Sequence, residues 1–272
     1  HNYLESISNS FGNMTHLQEI HMKNNSLENY EFIETLVNLH VLDLSHNLLS
    51  VSPDMSNHSH LLDLNLSNNR LVTIPFVRGV CLFNISHNLV SSLTLTNGKE
   101  HVSSDIIDLD SSHDSETLNI AQQSKNESRL SVMGSSLTVF NISGNMLKNI
   151  DDICLIHNLQ ELVASHNEIL TFPRKISKLK KLRVLNLASN RLQKIPKCLE
   201  KLEGLMALYI QDNQIDTLPS SLVRCKIWPA QGGIFSLSGN PLSLIPTYYR
   251  PIEKLYRFLK DISHDSEQPF IR

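Results

Sequence analysis

One residue recurs at nearly fixed intervals. Asparagines preceded at constant offsets by apolar side chains stand at Asn25, Asn47, Asn69, Asn88, Asn145, Asn167, Asn190, Asn213 and Asn240, and all follow the template L-x-x-L-x-L-x-x-N with apolar substitutes. Successive steps are 22, 22, 19, 57, 22, 23, 23 and 27 residues. A period this short holds one supersecondary unit. A single unit is too small to bury its own apolar face, so the chain must fold by stacking copies. Asn2, 23 residues before Asn25, reads as the tail of a repeat truncated at His1.

The stretch LRVLNLASN, residues 182–190, shows how the grammar works. Leu185 and Leu187 are two apart and fall on one face of a short strand, while Arg183 or Val184, Asn186 and Ala188 offer the alternating solvent-facing set. Stacked copies form a parallel sheet in which each fully buried leucine contributes roughly 1.5 to 3 kcal/mol. The asparagine follows because the chain turns sharply after the strand. A short amide with donors and an acceptor satisfies the backbone groups the turn exposes. Beyond the asparagine lie the pairs Ile74-Pro75, Phe172-Pro173, Ile195-Pro196, Leu218-Pro219 and Ile245-Pro246. Proline lacks a ladder donor, so these segments are return arms and not central strands.

The run LRVLNLASNRLQKIPKCLEKLEGL resembles the intracellular class of leucine-rich repeats and is similar to Ras-pathway scaffolds and small cytosolic leucine-rich-repeat-containing proteins. The resemblance covers nearly the whole chain. It implies an α/β solenoid, a horseshoe with a parallel concave β-sheet and irregular or helical convex arms. It also implies a scaffold or adaptor that binds another protein on the concave face in signal transduction, with a small GTPase or a phosphatase subunit as possible partner. Similar repeats also occur beside phosphatase and cyclase domains, so a regulatory or targeting part of a larger enzyme is the alternative.

Two stretches depart from the period. Residues 97–136 form a degenerate repeat with a polar and acidic insertion; Leu118-Asn119-Ile120 with Gln123 at the ladder position restores a 22-residue step to Asn145. The step to Asn240 carries its surplus in CKIWPAQGGI, where Trp228, Pro229 and Gly232-Gly233 indicate a bulged turn. The segments are therefore N-terminal repeats over 1–96, this insertion, C-terminal repeats over 137–246, a capping helix over 247–263 and a tail over 264–272. In the capping helix, Ile252, Leu255, Tyr256, Leu259 and Ile262 form an apolar stripe.

The net charge of -3 gives no general pull toward nucleic acid, and no run of 18 apolar residues marks a membrane span. Extracellular relatives end in a cysteine cluster just after the last Asn-Pro, whereas Asn240-Pro241 is followed by none. Cys81, Cys154, Cys198 and Cys225 are scattered and read as buried free thiols. Against a cytoplasmic location stand seven sequons, at Asn13, Asn24, Asn57, Asn65, Asn84, Asn126 and Asn141. Weighed against the missing cysteine cap they leave cytoplasm as the expectation, with an extracellular receptor or adhesion ectodomain as the alternative.

The free strand positions form two columns. Within them Val163, Val184 and Tyr209 fall in consecutive repeats, with Glu161, Asn186, Gln211 and Asp212 around them, an apolar centre with a polar rim. These seven are the expected partner-binding residues. Secondary candidates are the basic run containing Arg174, Lys178 and Lys181, which suits an acidic partner or a phosphoinositide surface, and IIDLDSSHDSE. The latter's Ile106, Ile107 and Leu109 followed by acids resemble a SUMO-interaction motif. His46, His87 and His166 each precede a template asparagine, but at roughly 4.8 Å per strand His46 and His87 stand too far apart to share a metal. No nucleophile, phosphate-loop or metal-protease signature is present, so neither enzymatic activity nor a cofactor is expected.

Overall fold

The leucine pairs form the expected strands. The computed structural model describes residues 2–97, 114–243, 245–247 and 250–265. The chain divides into two compact units, His1–Thr138 and Val139–Arg272. In the first unit β1 (Glu19–His21), β2 (Val41–Asp43), β3 (Asp63–Asn65) and β5 (Leu82–Asn84) lie side by side and parallel. In the second, β7 (Val139–Asn141), β8 (Glu161–Val163), β9 (Val184–Asn186), β10 (Ala207–Tyr209) and β11 (Ile234–Ser236) do the same. Pairing is in phase with the repeat: Leu162, Leu185, Leu208 and Phe235 are consecutive partners, and all four are buried.

The asparagines are the second element of the core. Asn190 Nδ2 donates to the carbonyls of Leu187 and Ala188 in its own turn and of Ala164 in the preceding repeat, at 3.0–3.1 Å. Its Oδ1 accepts from Ile169 N at 2.9 Å. Asn47, Asn69, Asn88, Asn167 and Asn213 repeat this pattern, so each amide ties two repeats together through backbone groups shut away from water. The residue just before each ladder asparagine holds a left-handed backbone: Asn24, His46, Asn68, His87, Gly144, His166, Ser189, Asp212 and Gly239 all have φ between 52° and 70°. His46, His87 and His166 are therefore turn residues, from the group that tolerates this conformation better than most.

Ala188 was expected on the solvent side and is instead buried at 4% exposure. The strand ends at Asn186, whose Oδ1 accepts from Ala188 N at 3.1 Å and folds the chain inward. Ser45, Ser67, Ser86 and Ser143 are drawn in the same way by Asp43, Asn65, Asn84 and Asn141.

Most return arms are single turns of 3-10 helix: Glu31–Thr35, Asp151–Leu155, Ile176–Lys178, Lys197–Lys201 and Ser220–Arg224. The 19-residue repeat has no room for such a turn. There the arm is the two-residue strand β4 (Ile74–Pro75), paired with β6 (Leu95–Thr96) in a two-stranded sheet where Pro75 has no ladder bond to break.

The insertion differs from the expectation. Leu118-Asn119-Ile120 is not a strand, because Asp114–Met133 is a helix, α1, and Gln123 donates along it to Glu127 and not to a turn. Asn126, Arg129, Leu130 and Met133 share its buried face. Asn126 accepts from Leu95 N at 2.8 Å and donates to Leu93 O at 3.0 Å, while Arg129 donates to Leu95 O at 2.9 Å with its guanidinium over the Phe76 ring. At the far end, α2 (Ile252–Asp265) starts five residues later than expected, directly after Pro251. It packs on the Ser220–Arg224 turn through buried Leu255 and Leu259, whereas Ile262 is exposed. Trp228 sits beside it, 5.1 Å from the rings of Phe235 and Tyr256, with Nε1 donating to Leu222 O.

Candidate protein-binding surface on the open sheet face

One face of the β7–β11 sheet is filled by the core leucines, which leaves the other open for contact with a partner. Its positions fall into two rows fixed by the register: Val139, Glu161, Val184, Ala207 and Ile234, then Asn141, Val163, Asn186, Tyr209 and Ser236. Val163, Val184 and Tyr209 alternate between the rows on three adjacent strands and are half-buried, and Glu161 and Gln211 flank them. Five of the seven expected residues, Glu161, Val163, Val184, Asn186 and Tyr209, thus stand in these rows, while Gln211 and Asp212 follow the end of β10 in the turn to Asn213.

They do not all have the same freedom. The Asn186 side chain is engaged in its own turn through Oδ1. Asp212 holds φ 55° and stands exposed; a Cβ on Gly239 would lie 2.1 Å from its Oδ1, so the last repeat needs glycine there. Gln211 Oε1 is shielded from solvent with no donor among the described residues, an acceptor in want of a partner. Two residues enlarge the apolar centre. Ile234 is 51% exposed and Met206, just before β10, is 49% exposed, with Ile234 N bonded to Met206 O. Sequence reasoning passed over Met206 because the template treats the residue before the strand as variable, and Arg183 holds the same place in the preceding repeat.

Arg174, Lys178 and Lys181 are exposed on the arm side of this unit. Arg174 N donates to Asp151 Oδ1 at 2.7 Å and its Nε lies 3.5 Å from the same carboxylate; Lys181 Nζ donates to Asn158 Oδ1 at 2.6 Å. Ile106, Ile107 and Leu109 lie outside the described residues. The four cysteines are free; burial pushes the Cys154 thiol up to about 11 and the Cys225 thiol to about 12. Among the described residues, no three His, Cys, Asp or Glu are placed to hold a metal, and no helix is long and apolar enough to cross a membrane.

Comparison with known proteins agrees with this geometry. Family models for the leucine-rich repeat match residues 157–215 and 38–58. No curated protein matches. Among solved structures, a leucine-rich-repeat protein of Leptospira interrogans is similar with a TM-score of 0.71 and 22% identity over 96% of this chain and 57% of that one. The leucine-rich-repeat ectodomain of the Arabidopsis thaliana membrane receptor kinase GASSHO1/SCHENGEN3, in complex with CASPARIAN STRIP INTEGRITY FACTOR 2, gives 0.53 and 23% over 86% and 28%. A TDR receptor gives 0.61 and 15% over 88% and 38%. The chain thus spans 57% or less of the length of these structures, and at such identities the likeness speaks to fold alone. The matched repeats, the in-phase register and the asparagine ladder agree that this chain carries the leucine-rich-repeat fold.

Proposed function

We propose that the chain is a protein-binding scaffold or adaptor module of intracellular signalling, without catalytic activity of its own, that takes a partner on the open face of the β7–β11 sheet. The observation that carries this reading is the set Val163, Val184, Tyr209, Met206 and Ile234. These apolar side chains are at least partly open to solvent on a face whose opposite side is closed core. Such a centre, with Glu161, Gln211 and Asp212 at its margin, has the composition of an interface whose few central residues carry most of the affinity. The solved GASSHO1/SCHENGEN3 ectodomain is in complex with a factor, an instance of binding by a related architecture.

Two observations support a cytoplasmic setting over an ectodomain. The cysteines are unpaired, two of them buried. Of the seven sequon asparagines, Asn13 and Asn57 are exposed, whereas Asn65, Asn84 and Asn141 are half-buried on strands and Asn126 commits its Nδ2, the atom a glycan would occupy, to Leu93 O. A small GTPase or a phosphatase subunit is the partner class that the repeat resemblance favours.

The test is a quantitative pull-down comparing the unaltered chain with a Val184→Glu/Tyr209→Ala double variant that keeps its Trp228 fluorescence transition. The expected result is a partner whose recovery falls at least about tenfold with the variant. Equal recovery by both proteins overturns the sheet-face assignment.

A further inference from the structure

The charge of this chain is unevenly placed. Residues 174–201 contain ten Lys and Arg against one acid, Glu200, a net of +9 within a chain of net -3. All ten cations are exposed. Most belong to two consecutive arms, where the repeat sets Lys178 and Lys201, and likewise Arg174 and Lys197, 23 residues apart at equivalent positions of adjoining turns, while Arg183 directly precedes β9 and Arg191 follows the ladder Asn190. Lys180 Nζ donates to Lys201 O at 3.0 Å and ties the arms together. Three ion pairs touch this region: Arg174 with Asp151, Arg191 with Glu168, and Arg224 with Glu200. The last removes the stretch's single acid from its cations. Among the described residues, Lys175, Lys178, Arg183, Lys194, Lys197 and Lys201 have no ion-pair partner, and the next acid along the chain is the exposed Glu203, two residues beyond the stretch. Like charges stacked without counterparts repel one another, and a fold indifferent to them gains nothing from the arrangement.

We propose that this arm-side surface is a second docking site, distinct from the sheet face, that takes an extended acidic segment of a partner protein. The chemistry favours carboxylates on a peptide over the other polyanions. Seven of the ten cations are lysines, compact point charges that meet carboxylates singly, and two of the three arginine forks are already turned to Asp151 and Glu168. Between the cations the apolar residues Ile176, Leu179 and Leu199 are buried, so the stretch offers no large exposed side chain to insert into a bilayer. It contains no Phe, Tyr or Trp on which a base could stack.

The experiment is fluorescence anisotropy of a labelled oligoglutamate peptide on the whole chain, with oligoglutamine as control. It is run alongside vesicles containing phosphatidylinositol bisphosphate and a short duplex DNA. The variants are Lys178→Glu/Lys197→Glu/Lys201→Glu, the milder Lys→Gln triple at the same positions, and Val184→Glu/Tyr209→Ala. Trp228 fluorescence confirms folding of each. The expected result is binding that weakens with salt, falls about tenfold or more in the Lys→Glu triple and less in the Lys→Gln triple, and is unchanged by the sheet-face pair. That last arm separates this site from the sheet face, since either site can fail without the other. Oligoglutamate bound equally by the Lys→Glu triple, or not bound at all, overturns the proposal. So does tighter patch-dependent retention of the vesicles or the DNA, which would assign the surface to lipid or nucleic acid.

Discussion

His58 is fully buried in the first unit, where its Nε2–H donates to the Ile33 carbonyl at 3.0 Å while Nδ1 has no partner among the described residues. Burial lowers its pKa from the usual 6.5, against the opposing pull of the Ile33 and Met55 backbone, Asp54 and Glu34. The neutral ring is therefore the folded form, and below pH 6.5 the unfolded chain binds the extra proton. The stability this group contributes is fully present above pH 6.5 and is lost as pH falls from there through the lowered folded value. Replacement by glutamine keeps a donor for Ile33 and removes the titration. Thermal melts between pH 7.5 and pH 5 are expected to show a flatter profile for His58→Gln than for the unaltered chain, and parallel profiles would show that His58 is not the group responsible. The same residue type at 46, 87 and 166 has another role. Those rings sit on turn backbones with positive φ, and what the template selects there is a residue that tolerates a left-handed conformation.

Among elements, α1 shows where the sequence was legible and where it was not. The strands β1–β3, β5 and β7–β11 follow from a two-residue alternation closed by an asparagine, a signal every copy reinforces. α1 has no neighbour to copy. Its buried stripe, Asn126, Arg129, Leu130 and Met133, has helical spacing, but half of it is polar, so a search for apolar periodicity passes over it. Asn126, read in the sequence only as part of a sequon, is a bracket for β6. Ala188 misled for a related reason: strict alternation assumes that the strand continues, and Asn186 ends it. On the sheet face the column register gave Val163, Val184 and Tyr209, but not Met206, whose exposure depends on how the turn enters β10. Asn126→Ala leaves Leu95 N–H without its acceptor, a loss of roughly 1–3 kcal/mol per buried unsatisfied group. Hydrogen exchange at Leu95 is expected to speed up by about one to two orders of magnitude while the β9 and β10 amides keep their protection. Unchanged exchange at Leu95 would mean that β6 does not depend on the bracket.

At the scale of the molecule, charge divides as the contacts do. Residues 1–138 carry six Lys and Arg against fifteen Asp and Glu, and residues 139–272 carry eighteen against twelve, so the units have net charges of -9 and +6. The near-neutral total hides this. Within the second unit most of the excess lies on two arms, where it opposes folding by self-repulsion that salt should relieve. The chain's single tryptophan, Trp228, is buried in that unit beside α2 and reports its unfolding. Raising sodium chloride from about 10 to about 300 mM, which shortens the screening length from about 30 Å to under 10 Å, is expected to raise the Trp228 transition. In low salt the Lys178→Glu/Lys197→Glu/Lys201→Glu variant should melt about 1–3 °C above the unaltered chain and respond less to salt. A parallel salt response would mean that the arm charges do not strain the fold. A more stable variant that has also lost the acidic peptide would show that the arms hold these lysines at a cost to stability that binding explains.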